Sequence, residues 1–175
     1  MFNTSYIENV SLADRKTGIH KNQKSIELYS FNGKSSRYLV EVEAWEMDVY
    51  VLKFYSKKHK NSKHKFSLLS DDFDAQGVIG TVIRIAVQIL EKNRNASFGF
   101  IGSPRKEENQ GNTQRFRVYR QIMKNFFGYD TWEHFESEKS SSYLMLNNCH
   151  ENPQDKAVDI VTMFSEIYDE FSDTL

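Results

Sequence analysis

Two glycines stand three positions apart in Gln76-Gly77-Val78-Ile79-Gly80-Thr81. Directly behind them runs Val82-Ile83-Arg84-Ile85-Ala86-Val87-Gln88-Ile89-Leu90, apolar at helical spacing. The pattern predicts a helix whose first turn carries little side-chain bulk. N–H groups at a helix start have no partner within the helix, and the helix dipole is positive there. An anion such as a nucleotide pyrophosphate suits that position. Backbone amides around Gly77 and Gly80 also suit an anion-binding nest. The plainer reading is a loop-to-helix junction, because a lone glycine pattern is a weak signal.

Tyr119, in Arg115-Phe116-Arg117-Val118-Tyr119-Arg120, is a candidate proton donor or thiol-binding phenol. Phe116 and Met123 put it on an apolar stripe, where a packed tyrosine is the simpler account. Arg115, Arg117, Arg120 and Lys124 form a basic helix face. Guanidinium forks match phosphate, and a solvated face explains the same residues. Glu41 and Glu43 share a strand face with Trp45. Facing a cleft, such a carboxylate would deprotonate an amine directly or through water, and Glu43 is the candidate base. Alternating charge on a half-exposed strand is the simpler account.

Charge is unevenly spread. Lys53, Lys57, Lys58, Lys60, Lys63 and Lys65 crowd together with His59 and His64. Near the other end lie Glu151, Asp155, Asp159, Glu166, Asp169, Glu170 and Asp173 against Lys156. Solvated surfaces account for both runs; a phosphate-seeking loop and a charge match within the chain or across a dimer are the sharper readings. A formal net charge of -1 argues against a dedicated nucleic-acid binder. The five histidines show no zinc-site spacing, so no metal is expected. No G-x-S-x-G or complete phosphate-binding loop occurs. One cysteine, Cys149 beside His150, excludes an internal disulfide and reads as an inert thiol rather than a nucleophile. No apolar run has the length of a membrane span, and Met1-Phe2-Asn3-Thr4-Ser5 lacks the features of a secretory signal. A cytoplasmic protein is expected.

The elements that must position these residues follow from periodicity. Residues 1–23 are polar and weakly patterned. Residues 25–31 are rich in β-formers, and Asn32-Gly33 is a dipeptide favoured in tight hairpins because both positions tolerate positive φ. Residues 38–45 alternate, with Val40, Val42 and Ala44 opposite Glu41 and Glu43. Residues 48–55 are apolar on both faces, and a break is expected near Glu46. A further strand is expected at 65–70 and a loop at 71–74. The glycine-led helix covers 76–92, with Ile79, Val82, Ile83, Ala86, Ile89 and Leu90 buried and Thr81, Arg84, Gln88 and Glu91 opposite. A buried strand at 96–102 and a mobile polar loop at 103–111 follow. Asn112 or Thr113 caps a second helix carrying Phe116, Tyr119, Ile122, Met123, Phe126 and Phe127, and Gly128 ends it. Residues 131–136 and 142–147 form a strand pair. Pro153 opens a final helix over 153–172, with Val158, Val161, Phe164, Ile167, Tyr168 and Phe171 on its buried stripe. The order β-β-β-β-α-β-α-β-β-α predicts one α+β domain over 1–175, with a mixed, mainly antiparallel sheet flanked by helices.

From about residue 37 to 147 this order resembles the GNAT-type N-acetyltransferases. In that family a Q/R-x-x-G-x-G/A motif at the loop and first helix binds the pyrophosphate of acetyl-coenzyme A. Ending the motif on Ile79-Gly80-Thr81 keeps Gly80 and puts Ala75 and Val78 at its first two fixed positions. Starting it at Gln76 loses its second half. The resemblance implies acetyl-coenzyme A as cofactor, held by Gln76, Gly77, Val78, Ile79, Gly80 and Thr81. It implies Tyr119 as the acid that protonates the leaving thiolate. The acceptor would be a small-molecule amine or a protein. The family's first two helices have only residues 32–36 in their place, and those helices help shape the acceptor site. The expected function is an acyl-coenzyme A-binding, acetyltransferase-like protein, its catalysis kept, weakened or lost. The alternative is a non-enzymatic protein-interaction module or homodimeric scaffold, and the lysine-rich run leaves nucleic acid as the least favoured partner.

Overall fold

Most of the periodic segments become regular structure. A computed structural model describes residues 5–68 and 74–168, with seven strands and three α-helices among them. The chain is α+β, and its strand pairing is mainly antiparallel. It divides into two compact units, one of residues 1–46 and 51–94 and the other of 47–50 and 95–175.

The first unit holds strands β1 (Ser11–Thr17), β2 (Gln23–Asn32), β3 (Arg37–Trp45) and most of β4 (Val49–Ser56), in that spatial order, and helix α1 (Ala75–Lys92). Strand β1 comes from the segment that showed no pattern. All seven of its residues are exposed, so no alternation existed to be read. A bulge between Leu12 and Asp14 interrupts its pairing with β2. The β2–β3 hairpin turns at Gly33, whose N–H donates to Ser36 O at 2.8 Å. Neither Asn32 nor Gly33 has positive φ. Gly33 is required for space instead, since a Cβ there would lie 2.8 Å from the Tyr38 ring and 2.9 Å from Asp74 Oδ2. The break expected near Glu46 is real: Met47 and Asp48 have φ of 61° and 58°.

Three expectations for this unit are corrected. Strand β3 is covered on both faces, with Tyr38, Leu39, Val40, Val42, Glu43 and Trp45 all buried. Residues 65–67 form turns rather than a strand: Lys65 N–H donates to Ser62 O and Ser67 N–H to His64 O, so these amides are spent locally. Thr81 is buried, not on the outer face of α1, because Tyr6 N–H and Gly77 O both use its hydroxyl.

The second unit holds β5 (Ser97–Ile101), α2 (Gln114–Phe126), β6 (Trp132–Ser137), β7 (Ser142–Asn147) and α3 (Pro153–Ser165). Strand β7 lies between β5 and β6, antiparallel to both, and all six of its residues are buried. Thr113 caps α2, its Oγ1 accepting from Phe116 N–H at 3.2 Å while donating to Gly102 O at 2.7 Å. Phe126, assigned to the apolar stripe of α2, is exposed, and the same holds for Val158 on α3. Helix α3 ends at Ser165, short of the expected 172. Phe171, the acidic residues Asp169, Glu170 and Asp173, the strand positions 69–70, the loop positions 71–73 and the leader positions 1–4 lie outside the described residues.

Candidate functional site

The glycine-led segment forms the first two turns of α1, and its geometry narrows what it can bind. Val78 N–H already donates to Asp74 O at 3.1 Å. Ile79, Gly80 and Thr81 follow inside the helix, where amides pair four residues back. Of the six candidates, only Gln76 and Gly77 belong to the turn whose amides a helix leaves unpaired. Gly77 is in turn covered by Tyr6. A Cβ at Gly77 would lie 2.6 Å from Tyr6 Cε2 and 2.8 Å from Asp74 Oδ1. The Tyr6 hydroxyl donates to Asp74 at 3.1 Å from both oxygens, and Tyr6 N–H donates to Thr81 Oγ1 at 2.8 Å. Lys34 N–H reaches Asp74 Oδ2 at 2.8 Å, and the Tyr6 ring stacks on Phe31.

The chain's own carboxylate and phenol therefore occupy the start of α1. A second negative charge about 4 Å from Asp74 would cost about 4 kcal/mol at a near-surface dielectric of about 20. The helix dipole offsets only about 1 kcal/mol of that. Repulsion wins, so Gln76–Thr81 lose the pyrophosphate role while this clasp is closed. Sequence reasoning missed Tyr6, whose segment had no periodicity. Asp74 carried a signal as a capping residue type before a helix, yet it makes no side-chain cap to α1.

Glu43 is buried, not facing an open cleft. Lys53 Nζ lies 2.6 Å from its Oε1, and Trp45 Nε1 donates to its Oε2 at 3.2 Å. Both oxygens are engaged, which opposes a role as free base. Glu41 is tied in the same way, to Lys65 at 2.6 Å and to the Tyr55 hydroxyl at 3.2 Å. Lys65 also lies 4.3 Å from the Tyr55 ring centroid and 4.8 Å from that of Phe66. The two ends of the lysine run are thus structural. Lys57, Lys58, Lys60 and Lys63 are exposed on the turns between them.

In the second unit, Tyr119 is half-buried on α2 with its ring edge-on to Phe100. Burial pushes its phenol up to about 12, and the Arg115 guanidinium one turn earlier pulls the other way. The phenol keeps its proton at neutral pH, as a proton donor must. Arg115 is half-buried and donates to Ser103 O at 3.3 Å. Arg117 bonds Asn112 O, Arg120 pairs with Glu138 at 2.7 Å, and Lys124 with Glu136 at 2.9 Å. All four cations of the basic face therefore have partners within the chain, Arg115 among them.

The 103–111 loop makes several specific hydrogen bonds. Glu108 accepts from Arg105 N–H at 2.9 Å and from Gln114 N–H at 2.6 Å. Those two amides hold its carboxyl below the usual range. Ser141, at φ 53°, accepts from Thr113 N–H and donates to Gln110 O. Cys149 is exposed, and its thiol meets Asn95 Oδ1 at 3.5 Å. Among the described residues no group of three His, Cys, Asp or Glu could hold a metal ion. No helix among them is long and apolar enough to cross a membrane. No protein-family model, curated protein or solved structure matches the chain.

Proposed function

We propose that this chain is an acyl-coenzyme A-binding, N-acetyltransferase-like protein that meets its cofactor through α2. Tyr119 is the observation that carries the reading. It occupies the position that the resemblance gives to the acid, half-buried and protonated, one turn from a guanidinium. If the chain catalyses, acetyl-coenzyme A would supply the acetyl group and an amine the nucleophile, the nitrogen would shed its proton to solvent, and Tyr119 would protonate the departing thiolate. Arg115 would then stabilise the phenolate until water reprotonates it. The start of α1 contributes nothing to this reading while Tyr6 and Asp74 hold it.

Acetyl-coenzyme A at about 1 mM is expected to raise the melting temperature by about 2–6 °C, since ligand at tens of Kd adds about 2 kcal/mol. Tyr119→Phe should bind equally and lose about a hundredfold or more in acetyl transfer to an amine. No melting shift at millimolar cofactor refutes the proposal. Binding without transfer in the parent chain reduces it to a holding role.

The closed clasp at α1 favours a second reading, a non-enzymatic interaction module or homodimer. In it the exposed cations of 57–63 meet exposed acids of a partner or second copy, such as Asp155 and Asp159 on α3 and Glu166 just past its end. Exposed ion pairs contribute about 0.2–1 kcal/mol each, so this association would be weak and salt-sensitive. Mass in solution at about 20 mM and 500 mM salt tests it; a monomer at both argues for the cofactor reading.

A further inference from the structure

The segment joining β5 to α2 carries Arg105 and accepts a bond from Arg115, and the clearest sign is on Arg105. Its Nε is buried and has no hydrogen-bond partner. A buried N–H of a charged group left unmatched is costly, and native chains leave few of them. The surrounding bonds fix where this group stands. Glu108 ties Arg105 N–H to Gln114 N–H, the first residue of α2. Arg115, the next residue, reaches back to Ser103 O, two residues before Arg105. These bonds tie the loop carrying Arg105 to the first turn of α2, which carries Arg115. The Glu108 carboxylate is spent on backbone amides.

The local charge is unbalanced. Residues 103–117 carry Arg105, Lys106, Arg115 and Arg117 against Glu107 and Glu108. The excess of two positive charges matches a dianion better than a monoanion. Arginine forks bind phosphate oxygens in pairs and with fixed geometry. We infer that Arg105 and Arg115 form a seat for a phosphate group on the Tyr119 side of α2. Burial, followed in the same direction by the Arg105 charge, holds the Arg115 guanidinium below its ordinary value, while Tyr119 and Glu108 act the other way. A dianion would relieve that repulsion. The seat deepens the cofactor reading, since a coenzyme A carries phosphates, but it needs only the group itself.

The test follows the Arg105 Nε–H signal by NMR in the whole chain at constant ionic strength. Probes are inorganic phosphate, coenzyme A and dephospho-coenzyme A, with chloride as the control. The expected result is a saturable shift of that signal with phosphate, tightening as pH rises and the monoanion gives way to the dianion. Arg115→Ala should weaken it about tenfold, the loss of one charge-assisted contact. Arg105→Lys removes the reporter signal along with the fork; phosphate binding to it, followed instead by the broadening of the phosphorus resonance, should be weaker than in the parent while the melting temperature is unchanged. If phosphate shifts the signal and neither coenzyme binds, the seat stands and the cofactor reading fails. If coenzyme A binds without moving the signal, the cofactor reading stands and the seat fails. A response that chloride reproduces, or none at about 50 mM phosphate, also overturns the seat.

Discussion

Replacing Gly77 by alanine should change sign with the residue at position 6. In the parent chain the new Cβ would lie 2.6 Å from Tyr6 Cε2, so the ring must retreat by about an ångström to reach ordinary contact. Retreat loosens the hydroxyl bonds to Asp74, the N–H bond to Thr81 and the stack on Phe31. A half-exposed charged hydrogen bond, a neutral one and a weakened ring contact together amount to about 2–3 kcal/mol. Alanine in a first helical turn returns about 0.5–1 kcal/mol. The net cost is about 1–2 kcal/mol, or about 2–8 °C in melting temperature at this chain length. With Tyr6→Ala in place the ring is gone, and the Asp74 carboxylate, 2.8 Å from the new Cβ, is released from the phenol and can swing clear; the helical gain then dominates, and Gly77→Ala should stabilise by about 1–3 °C. Four thermal melts, parent, both single variants and the double, measure the coupling. Equal stabilisation of both backgrounds would show that Tyr6 does not cover Gly77. Alkaline titration gives a second signature. Burial, then the bond to Asp74, raises the Tyr6 phenol, so the clasp is whole below about pH 10 and is lost as pH climbs through the higher folded value. A Tyr6→Phe variant lacks that alkaline loss.

Lys53→Met removes the ammonium 2.6 Å from the buried Glu43 carboxylate; a cost of about 2–3 kcal/mol in urea unfolding is expected, below the full buried-pair range because Lys53 is partly exposed. Adding Glu43→Gln should recover most of it. Thr113→Ala removes the α2 cap together with the bond to Gly102 O, and should cost about 1–2 kcal/mol in the same assay. Burial lowers His134 and Lys124 adds to it, with the Phe127 backbone acting the other way; burial and then Lys156 lower His150. Their native states bind protons less readily than the unfolded chain, so this stability is whole above about pH 6.5 and falls as pH drops toward the depressed folded values. Proton NMR titration should place both midpoints below 6.5, and His134→Gln should flatten the acid side of the stability curve.

Helices α1 and α2 and strands β2 to β7 were legible because each carries a periodic stripe or an apolar run, and Thr113 and Pro153 are chemically specific markers. Strand β1 was not legible, since an outermost strand with no buried residue writes no alternation. Its place was filled in the reading by 65–70, where Phe66 and Leu68 suggested a strand, although local turns take the amides of 65 and 67. At the candidate site, the types and spacings of Tyr119 and Arg115 were visible. What sequence could not carry was long-range company: Tyr6 against Gly77, Lys53 against Glu43, and the loop that returns Arg105 toward α2. Each depends on residues brought together by the fold rather than by spacing, and each changes the chemistry read from the segment alone.

Strand β7 is the last strand among the described residues and the middle one of the three-strand run β5-β7-β6. The β5 and β6 ladders are both built on it, and β6 precedes it by only a tight turn. During synthesis neither ladder can form until Ser142–Asn147 has emerged, so the second unit must assemble in one late step. A ribosome pausing just short of Ser142 would hold two adhesive backbone rims in the cytosol of any expression host. Truncations ending between 132 and 141 are therefore expected in inclusion bodies, whereas chains reaching past 165 stay dispersed.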